Sequence, residues 1–165
     1  RALEATGGPE EILQVFYDAF KKWYMSAPAV KTKPMIAVRE TLITAKGAAF
    51  AMGVCTNKSE PVAETILTEL QLRPFFTDFV GAMPGRALKP DPEPLLLCAE
   101  RIGTGDRRAV LIGDSIADVK AARNAHMPCI LVRGGYTNTA PELLGADVVI
   151  DSFDYLFTAL EQMVA

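Results

Sequence analysis

Apolar residues recur along the chain in two patterns, and these predict alternating helices and strands. Between Glu10 and Tyr24 the large apolar side chains are spaced three and four apart, which predicts an amphipathic helix. A second helix is expected from Pro34 to Gly47. Gly47 is expected to end it, because glycine tolerates the positive φ that often follows a helix. Short apolar runs of roughly four to eight residues are typical of buried strands. Five such runs occur, at Ala48–Cys55, Phe75–Val80, Ala109–Ile112, Pro128–Val132 and Ala146–Ile150.

Helix start signals follow these strands. Ser59 and Ser115 stand at N-cap positions, and Asp91 precedes Pro92, which suits the first helical turn. Gly103 should end the helix that begins at Asp91, and a closing helix is expected over Tyr155–Met163. Strands that alternate with helices predict an α/β fold, a Rossmann-like three-layer α/β/α arrangement around a parallel sheet.

The run from Ala109 to Asp118 places two carboxylates next to the end of a strand. Asp114 should follow the strand directly, and Asp118 should lie in the first turn of the next helix. Ligands bind at the carboxyl ends of strands in open α/β sheets, and paired carboxylates suit Mg²⁺. Asp118 could instead only cap the helix with Ser115, in the spacing of a capping box.

Two further polar segments follow strands. Thr56, Asn57 and Lys58 precede the helix capped by Ser59, and such a helix start can hold an oxyanion. A capped turn without a ligand is the commoner explanation of that pattern. Lys89 stands just ahead of another helix, and a lone lysine is most often only solvated.

Composition narrows the class of protein. The chain has 165 residues, of which 50% are hydrophobic and 22% charged, with a net charge of −3. These values fit one globular domain. The sequence contains no block of basic residues that would indicate a nucleic-acid partner. No apolar run approaches the length of a membrane span. Three isolated cysteines, Cys55, Cys98 and Cys129, indicate reduced core thiols and a cytoplasmic location.

Taken together, the polar strand ends resemble those of the haloacid dehalogenase superfamily, and within it the phosphoglycolate phosphatase branch. The resemblance rests on Thr56-Asn57-Lys58, Lys89-Pro90-Asp91-Pro92, the segment Gly113-Asp114-Ser115-Ile116-Ala117-Asp118, and Gly134-Gly135-Tyr136, in that order. It covers nearly the whole chain. Each motif alone is weak, whereas their joint order and spacing are specific. Gly113 and Ser115 would support the site.

The resemblance implies a Mg²⁺-dependent phosphatase in which an aspartate attacks the phosphoryl group and water hydrolyses the phospho-aspartate. Thr56 and Asn57 would bind the phosphoryl oxygens. Lys89 would neutralise the phosphoryl group and the nucleophile. Asp114 would hold Mg²⁺, and Asp118 would support that metal or position Lys89. The substrate would be a small phosphorylated metabolite such as 2-phosphoglycolate.

One family motif is absent from the chain. The Asp-x-Asp that supplies the nucleophile occurs nowhere in the sequence. Residues 1–30 are therefore expected to be the last part of a helical cap, and residues 31–165 a core domain without its first strand. That strand would lie between the strands ending at Cys55 and Ile112, so each should have an open edge. An upstream segment is expected to carry it.

Several alternatives stay open. The same scaffold could serve a pyrophosphatase, a sugar-phosphate phosphatase or mutase, or a dehalogenase. A truncated relative could bind phosphate or a partner without catalysis. Either a monomer or a homodimer is compatible with the sequence. His126, the single histidine, ends a helix where relatives usually carry glycine, and we expect it to have a positive φ and a structural role.

Overall fold

The computed structural model describes residues 10–104, 109–135 and 139–164, and it divides the chain into two compact units, Arg1–Lys33 and Pro34–Ala165. The first unit contains helix α1, Glu10–Ser26, close to the predicted helix. Within α1 the ring of Phe20 stacks on that of Tyr24 with centroids 5.7 Å apart. The interpretation of this unit as part of a cap stays a prediction.

The second unit is an α/β fold, as the sequence predicted. Helices and parallel strands alternate along it, joined in places by single turns of 3₁₀ helix. In chain order the elements are α2 Val38–Gly47, β1 Gly53–Ser59, α3 Glu60–Glu69, β2 Asp78–Ala82, α4 Glu93–Arg101, β3 Leu111–Gly113, α5 Ile116–Asn124, β4 Cys129–Val132, β5 Val148–Ile150 and α6 Leu156–Val164.

Strand β4 lies at the centre of the larger sheet, whose order is β3-β4-β5. Its residues alternate between two apolar clusters, as the period of a strand requires. Cys129 and Leu131 face a cluster with residues of α4 and α5, and Ile130 and Val132 face a cluster with residues of α6. Helices therefore cover both faces of this sheet, which gives the three predicted layers.

Strands β1 and β2 form a separate parallel pair. Among the described residues, no ladder of hydrogen bonds joins β1 to β3. An apolar cavity of about 390 Å³ lies between them, lined by Gly53–Cys55 on one side and Val110–Ile112 on the other, with Cys98 and Leu160 among its further walls. The cavity and the unpaired strand edges occupy the same place in the fold.

The boundaries of β1 differ from those that the sequence predicted. The strand runs from Gly53 to Ser59, not from Ala48 to Cys55. Its backbone continues to pair beyond the apolar run, since Ser59 is in register with Ala82, after an irregularity that follows Cys55. Thr56 and its polar neighbours therefore belong to the strand, because the ladder depends on backbone groups and does not require apolar side chains.

Positive φ angles appear where helices end, and two of the predicted positions are confirmed. Gly103 has a φ of 77° and His126 a φ of 54°. Helix α2 ends at Gly47 as predicted, but the left-handed residue is Ala49, with a φ of 60°, and the helix begins at Val38, not at Pro34. Ser59 occupies the N-cap of α3 without a side-chain capping bond. Among the described residues, no helix is both long and apolar enough to cross a membrane.

Candidate functional site

Lys89 connects the two sheets at the carboxyl ends of their strands. Its ammonium Nζ donates to the backbone carbonyl of Cys55 in β1 at 2.6 Å and to Oδ1 of Asp118 in α5 at 2.6 Å. The side chains of Lys89 and Asp118 are only 10% and 7% exposed. A lysine ammonium has three donors, so one proton remains for another acceptor.

Asp118 is held by four further contacts with the start of α5. Its Oδ2 accepts hydrogen bonds from the hydroxyl of Ser115 at 2.5 Å and from the backbone N–H groups of Ser115 and Asp114. The backbone N–H of Asp118 donates to Ser115 Oγ, which completes the predicted capping box. Burial would raise the pKa of Asp118, but the charge of Lys89 and these hydrogen bonds outweigh it and lower that pKa.

Asp114 lies beside Asp118 in a different electrostatic setting. Burial, and then the neighbouring charge of Asp118, raise the pKa of the Asp114 carboxyl, and Lys89 opposes them only in part. No described residue forms an ion pair with Asp114. The arrangement therefore concentrates negative charge at Asp114, where a cation would be favoured.

Two glycines allow these carboxylates to approach the backbone. A Cβ on Gly113 would overlap the side chain of Asp118, and a Cβ on Gly135 would overlap the backbone oxygen and side chain of Asp114. Gly135 belongs to the predicted motif that ends in Tyr136. Tyr136 itself lies outside the described residues.

Thr56 and Asn57 lie close to Lys89 but differ in what they contact. Thr56 Oγ1 accepts a hydrogen bond from the backbone N–H of Lys58 at 3.2 Å, and no described group accepts its hydroxyl hydrogen. The side-chain amide of Asn57 binds the main chain of Lys89, donating to its carbonyl at 2.8 Å and accepting from its N–H at 2.9 Å. The amide nitrogen of Asn57 carries a second hydrogen, and the expectation that this amide binds a phosphoryl oxygen stays a prediction.

The donor set fits Mg²⁺ in part. Asp114 offers carboxylate oxygens, the ligands that this cation prefers. Asp118 is committed to Lys89 and to the start of α5, so the geometry favours its role in positioning the lysine. Among the described residues, no three carboxylate, imidazole or thiol side chains converge on one point. The described residues thus offer the carboxylate of Asp114 to a cation, and the magnesium site stays a prediction.

Sequence reasoning missed the contacts of two residues, Asn124 and Arg86. Asn124, the last residue of α5, donates to the carbonyl of Pro90 at 3.0 Å. Arg86 pairs with Glu60 and donates to the carbonyl of Gly81 at 2.8 Å. Each partner is at least five residues away in sequence. Local patterns such as capping spacings therefore carry no signal for them.

Comparison with known proteins agrees with the predicted family and with the fold. A family model described as haloacid dehalogenase-like hydrolase matches residues 2–132. A phosphoglycolate phosphatase from Caulobacter vibrioides is 37% identical over 93% of this chain, and the match spans 65% of the relative. The corresponding protein from Agrobacterium fabrum is 36% identical over 99% of this chain and 71% of its own length.

A solved structure extends the comparison to the fold. The crystal structure of a predicted phosphoglycolate phosphatase from Haemophilus somnus superposes with a TM-score of 0.85 at 23% identity, covering 93% of this chain and 68% of that one. Such an identity supports the fold alone. The matched family model, however, covers most of the chain. The chain therefore belongs to the haloacid dehalogenase-like hydrolase family.

Proposed function

We propose that this chain forms part of a Mg²⁺-dependent phosphatase that hydrolyses a small phosphomonoester such as 2-phosphoglycolate. The contact between Lys89 and Asp118 carries the proposal. It holds one ammonium group in a fixed orientation at the carboxyl ends of the strands, where a phosphoryl group needs a positive charge. The two curated relatives are named phosphoglycolate phosphatase, which supports this substrate class.

In the proposed reaction an aspartate supplied from outside these 165 residues attacks phosphorus. The phosphorus–ester oxygen bond breaks, and the leaving alkoxide takes a proton from a general acid that the family's Asp-x-Asp motif would supply. Water then attacks the phosphorus of the phospho-aspartate, which releases inorganic phosphate and regenerates the carboxylate. The third proton of Lys89 and the hydroxyl of Thr56 donate to phosphoryl oxygens as charge develops there.

Asp114 is the residue of this chain that would hold Mg²⁺. When bound, the ion would neutralise charge on the phosphoryl group. Asp118 keeps the lysine ammonium in place, and its lowered pKa keeps it ionised at neutral pH. Burial, and then the charge of Asp118, raise the pKa of Asp114, and a bound cation would favour its ionised form.

The cellular setting of the proposal follows from the cysteines. Cys55, Cys98 and Cys129 are all free thiols, which suits a reducing compartment, and we propose the cytoplasm. The proposed partner is the phosphorylated substrate, and a homodimer stays open.

The test measures release of inorganic phosphate by the full-length gene product. A panel of 2-phosphoglycolate, pyrophosphate and several sugar phosphates should be assayed with Mg²⁺ and with EDTA. We expect hydrolysis of 2-phosphoglycolate that requires Mg²⁺. Hydrolysis of only pyrophosphate or a sugar phosphate would overturn the proposed substrate. Release of no phosphate from any compound would overturn the proposed phosphatase activity.

A pair of carboxylate variants localises the metal. Asp114→Asn should reduce activity by about 10³-fold, since the site loses a charged oxygen ligand. Asp147→Asn is the matched control. Its carboxylate accepts from the backbone N–H of Cys129 at the opposite ends of the strands. Full activity in Asp114→Asn would contradict the role given to Asp114.

A further inference from the structure

Two asparagine side chains hold the backbone on either side of the Lys89–Pro90 bond. Asn57, from β1, forms two hydrogen bonds to Lys89, one to its N–H at 2.9 Å and one from its own amide to the carbonyl at 2.8 Å. Asn124, from the end of α5, donates to the carbonyl of Pro90 at 3.0 Å. We refer to Asn57 and Asn124 as the amide clamp.

The Asn57 contact uses both groups of the side-chain amide on one residue. Its oxygen accepts from the N–H of Lys89 and its nitrogen donates to the carbonyl of the same residue. The pattern matches a hydrogen-bonded pair in an antiparallel ladder, with a side chain in place of a neighbouring strand. It fixes the position and the direction of the Lys89 backbone relative to β1.

Helix α5 contacts this segment at two separate points. Its first turn holds the ammonium of Lys89 through Asp118, and its last residue holds the carbonyl of Pro90 through Asn124. The side chain of Lys89 is therefore fixed at both of its ends, at the backbone by the amide clamp and at Nζ by Asp118 and the Cys55 carbonyl. A long lysine side chain otherwise has many rotamers to lose.

We infer that Asn57 and Asn124 are positioning residues that hold Lys89 for phosphoryl transfer, and that Asn57 acts through Lys89 and does not bind the phosphoryl group itself. The kinetic part of this inference rests on the proposed phosphatase function. The structural part depends only on the contacts of the amide clamp. One measurement therefore tests the amide clamp, and a second tests its role in phosphoryl transfer.

The first measurement is the acetylation rate of Lys89 by acetic anhydride in the full-length gene product, followed by mass spectrometry. In the parent protein Lys89 should react slowly, because its side chain is 10% exposed. Asn57→Ala removes two hydrogen bonds and should raise that rate by about tenfold, and Asn124→Ala removes one and should raise it about threefold. The exposed Lys120 serves as an internal standard.

A matched variant controls for the loss of any exposed amide. Gln14→Ala removes an amide that donates to Asp18 within α1, and it should leave the rate at Lys89 unchanged. Should Asn57→Ala fold poorly, Asn57→Asp retains the acceptor for the Lys89 N–H but replaces the donor with a carboxylate oxygen that repels the Lys89 carbonyl, with an expected rise of about threefold or more. An unchanged rate at Lys89 in folded Asn57 variants would overturn the amide clamp.

The second measurement is a double-mutant cycle in kcat and KM for 2-phosphoglycolate. If Asn57 acts through Lys89, Asn57→Ala lowers kcat by about tenfold with little change in KM, and it has no further effect when Lys89→Met is already present. A direct contact with the phosphoryl group predicts a raised KM and a further loss in the double variant, and would overturn the inference. A parent protein without phosphatase activity would refute the proposed function. The acetylation rates would still test whether Asn57 and Asn124 hold Lys89.

Discussion

The carboxyl ends of the strands and the cavity between β1 and β3 lie between the same two sheets, but they connect the sheets differently. At the strand ends Lys89 joins the Cys55 carbonyl to Asp118 through two contacts of 2.6 Å. In the cavity no ladder joins the described parts of the two sheets, and apolar side chains line about 390 Å³. The connection at the strand ends is a local ion pair, whereas the region between β1 and β3 is an apolar cavity.

This difference determines how each region should respond to change. A buried ion pair depends on both partners, because loss of one leaves an uncompensated charge. An apolar cavity has no such pair, and burial is the largest cause that raises the pKa of the Cys98 thiol within it. Five experiments test whether the two regions differ in this way, and they run from the largest expected effect to the smallest.

Asp118→Asn should have the largest effect on stability. The substitution leaves the buried ammonium of Lys89 without a carboxylate, which costs about 3–5 kcal/mol of the free energy of unfolding. The same substitution in a Lys89→Met background should cost much less, since no ammonium remains. Urea denaturation of the four proteins at pH 7 measures the coupling. Equal costs in both backgrounds would mean that the pair is not energetically linked.

The acidic limb of the stability curve provides a second check of this pair. The folded pKa of Asp118 is lowered, so its contribution is present above the unfolded pKa and is lost as pH falls through the folded value. The parent protein should therefore lose its advantage over Asp118→Asn under acidic conditions. An advantage that persisted there would contradict the direction of the pKa shift.

Thiol alkylation tests the cavity. Burial raises the pKa of Cys98, which lines the cavity, to about 12, and likewise raises that of Cys129 in β4 to about 12. At pH 8 both should react with iodoacetamide about 10²-fold more slowly than in urea, since little thiolate forms and the higher nucleophilicity of the thiolate compensates only in part. Faster reaction of Cys98 than of Cys129 would mean that water enters the cavity.

A pair of glycine variants tests the close packing at the strand ends. Gly113→Ala introduces a Cβ that overlaps the side chain of Asp118, and should destabilise the protein by about 1–3 kcal/mol. Gly47→Ala is the control, because its Cβ meets no atom within 4 Å, and in helix α2 it should stabilise by about 0.5–1 kcal/mol. Thermal unfolding compares the two. A tolerated Gly113→Ala would indicate that Asp118 can move away.

Asp114→Asn should have the smallest effect on stability, and of opposite sign to Asp118→Asn. Because the folded pKa of Asp114 is raised, its ionised form costs stability above that pKa, and the cost disappears as pH falls through it. In EDTA the variant should be more stable at pH 7 by no more than about 1 kcal/mol, since Asp114 is only partly buried. The gain should vanish near the unfolded pKa. A constant difference across pH would contradict this assignment.

The sequence predicted those parts of the site that depend on short-range spacing. Ser115 and Asp118 form the expected capping box because a helix start is a local structure. His126 takes the expected positive φ for the same reason. The predicted end of β1 was wrong. Polar residues after an apolar run were interpreted as the end of the strand, although backbone pairing continues to Ser59.

Contacts between distant residues could not be derived from spacing. Lys89 and Asp118 are 29 residues apart, and the sequence left open whether Asp118 supports a metal or positions the lysine. The two hydrogen bonds between Asn57 and the main chain of Lys89 leave no pattern in the sequence, since any residue has the same backbone groups. Only the folded arrangement indicates that this amide contacts the lysine.

The most direct test of the central claim is the activity of Lys89→Met in the full-length gene product. We place the ammonium of Lys89 against the phosphoryl group, so kcat/KM for 2-phosphoglycolate with Mg²⁺ should fall by about 10³-fold or more. Lys120→Met, which removes an exposed lysine from α5, should retain the parental value. A folded Lys89→Met protein with parental kcat/KM would contradict the account.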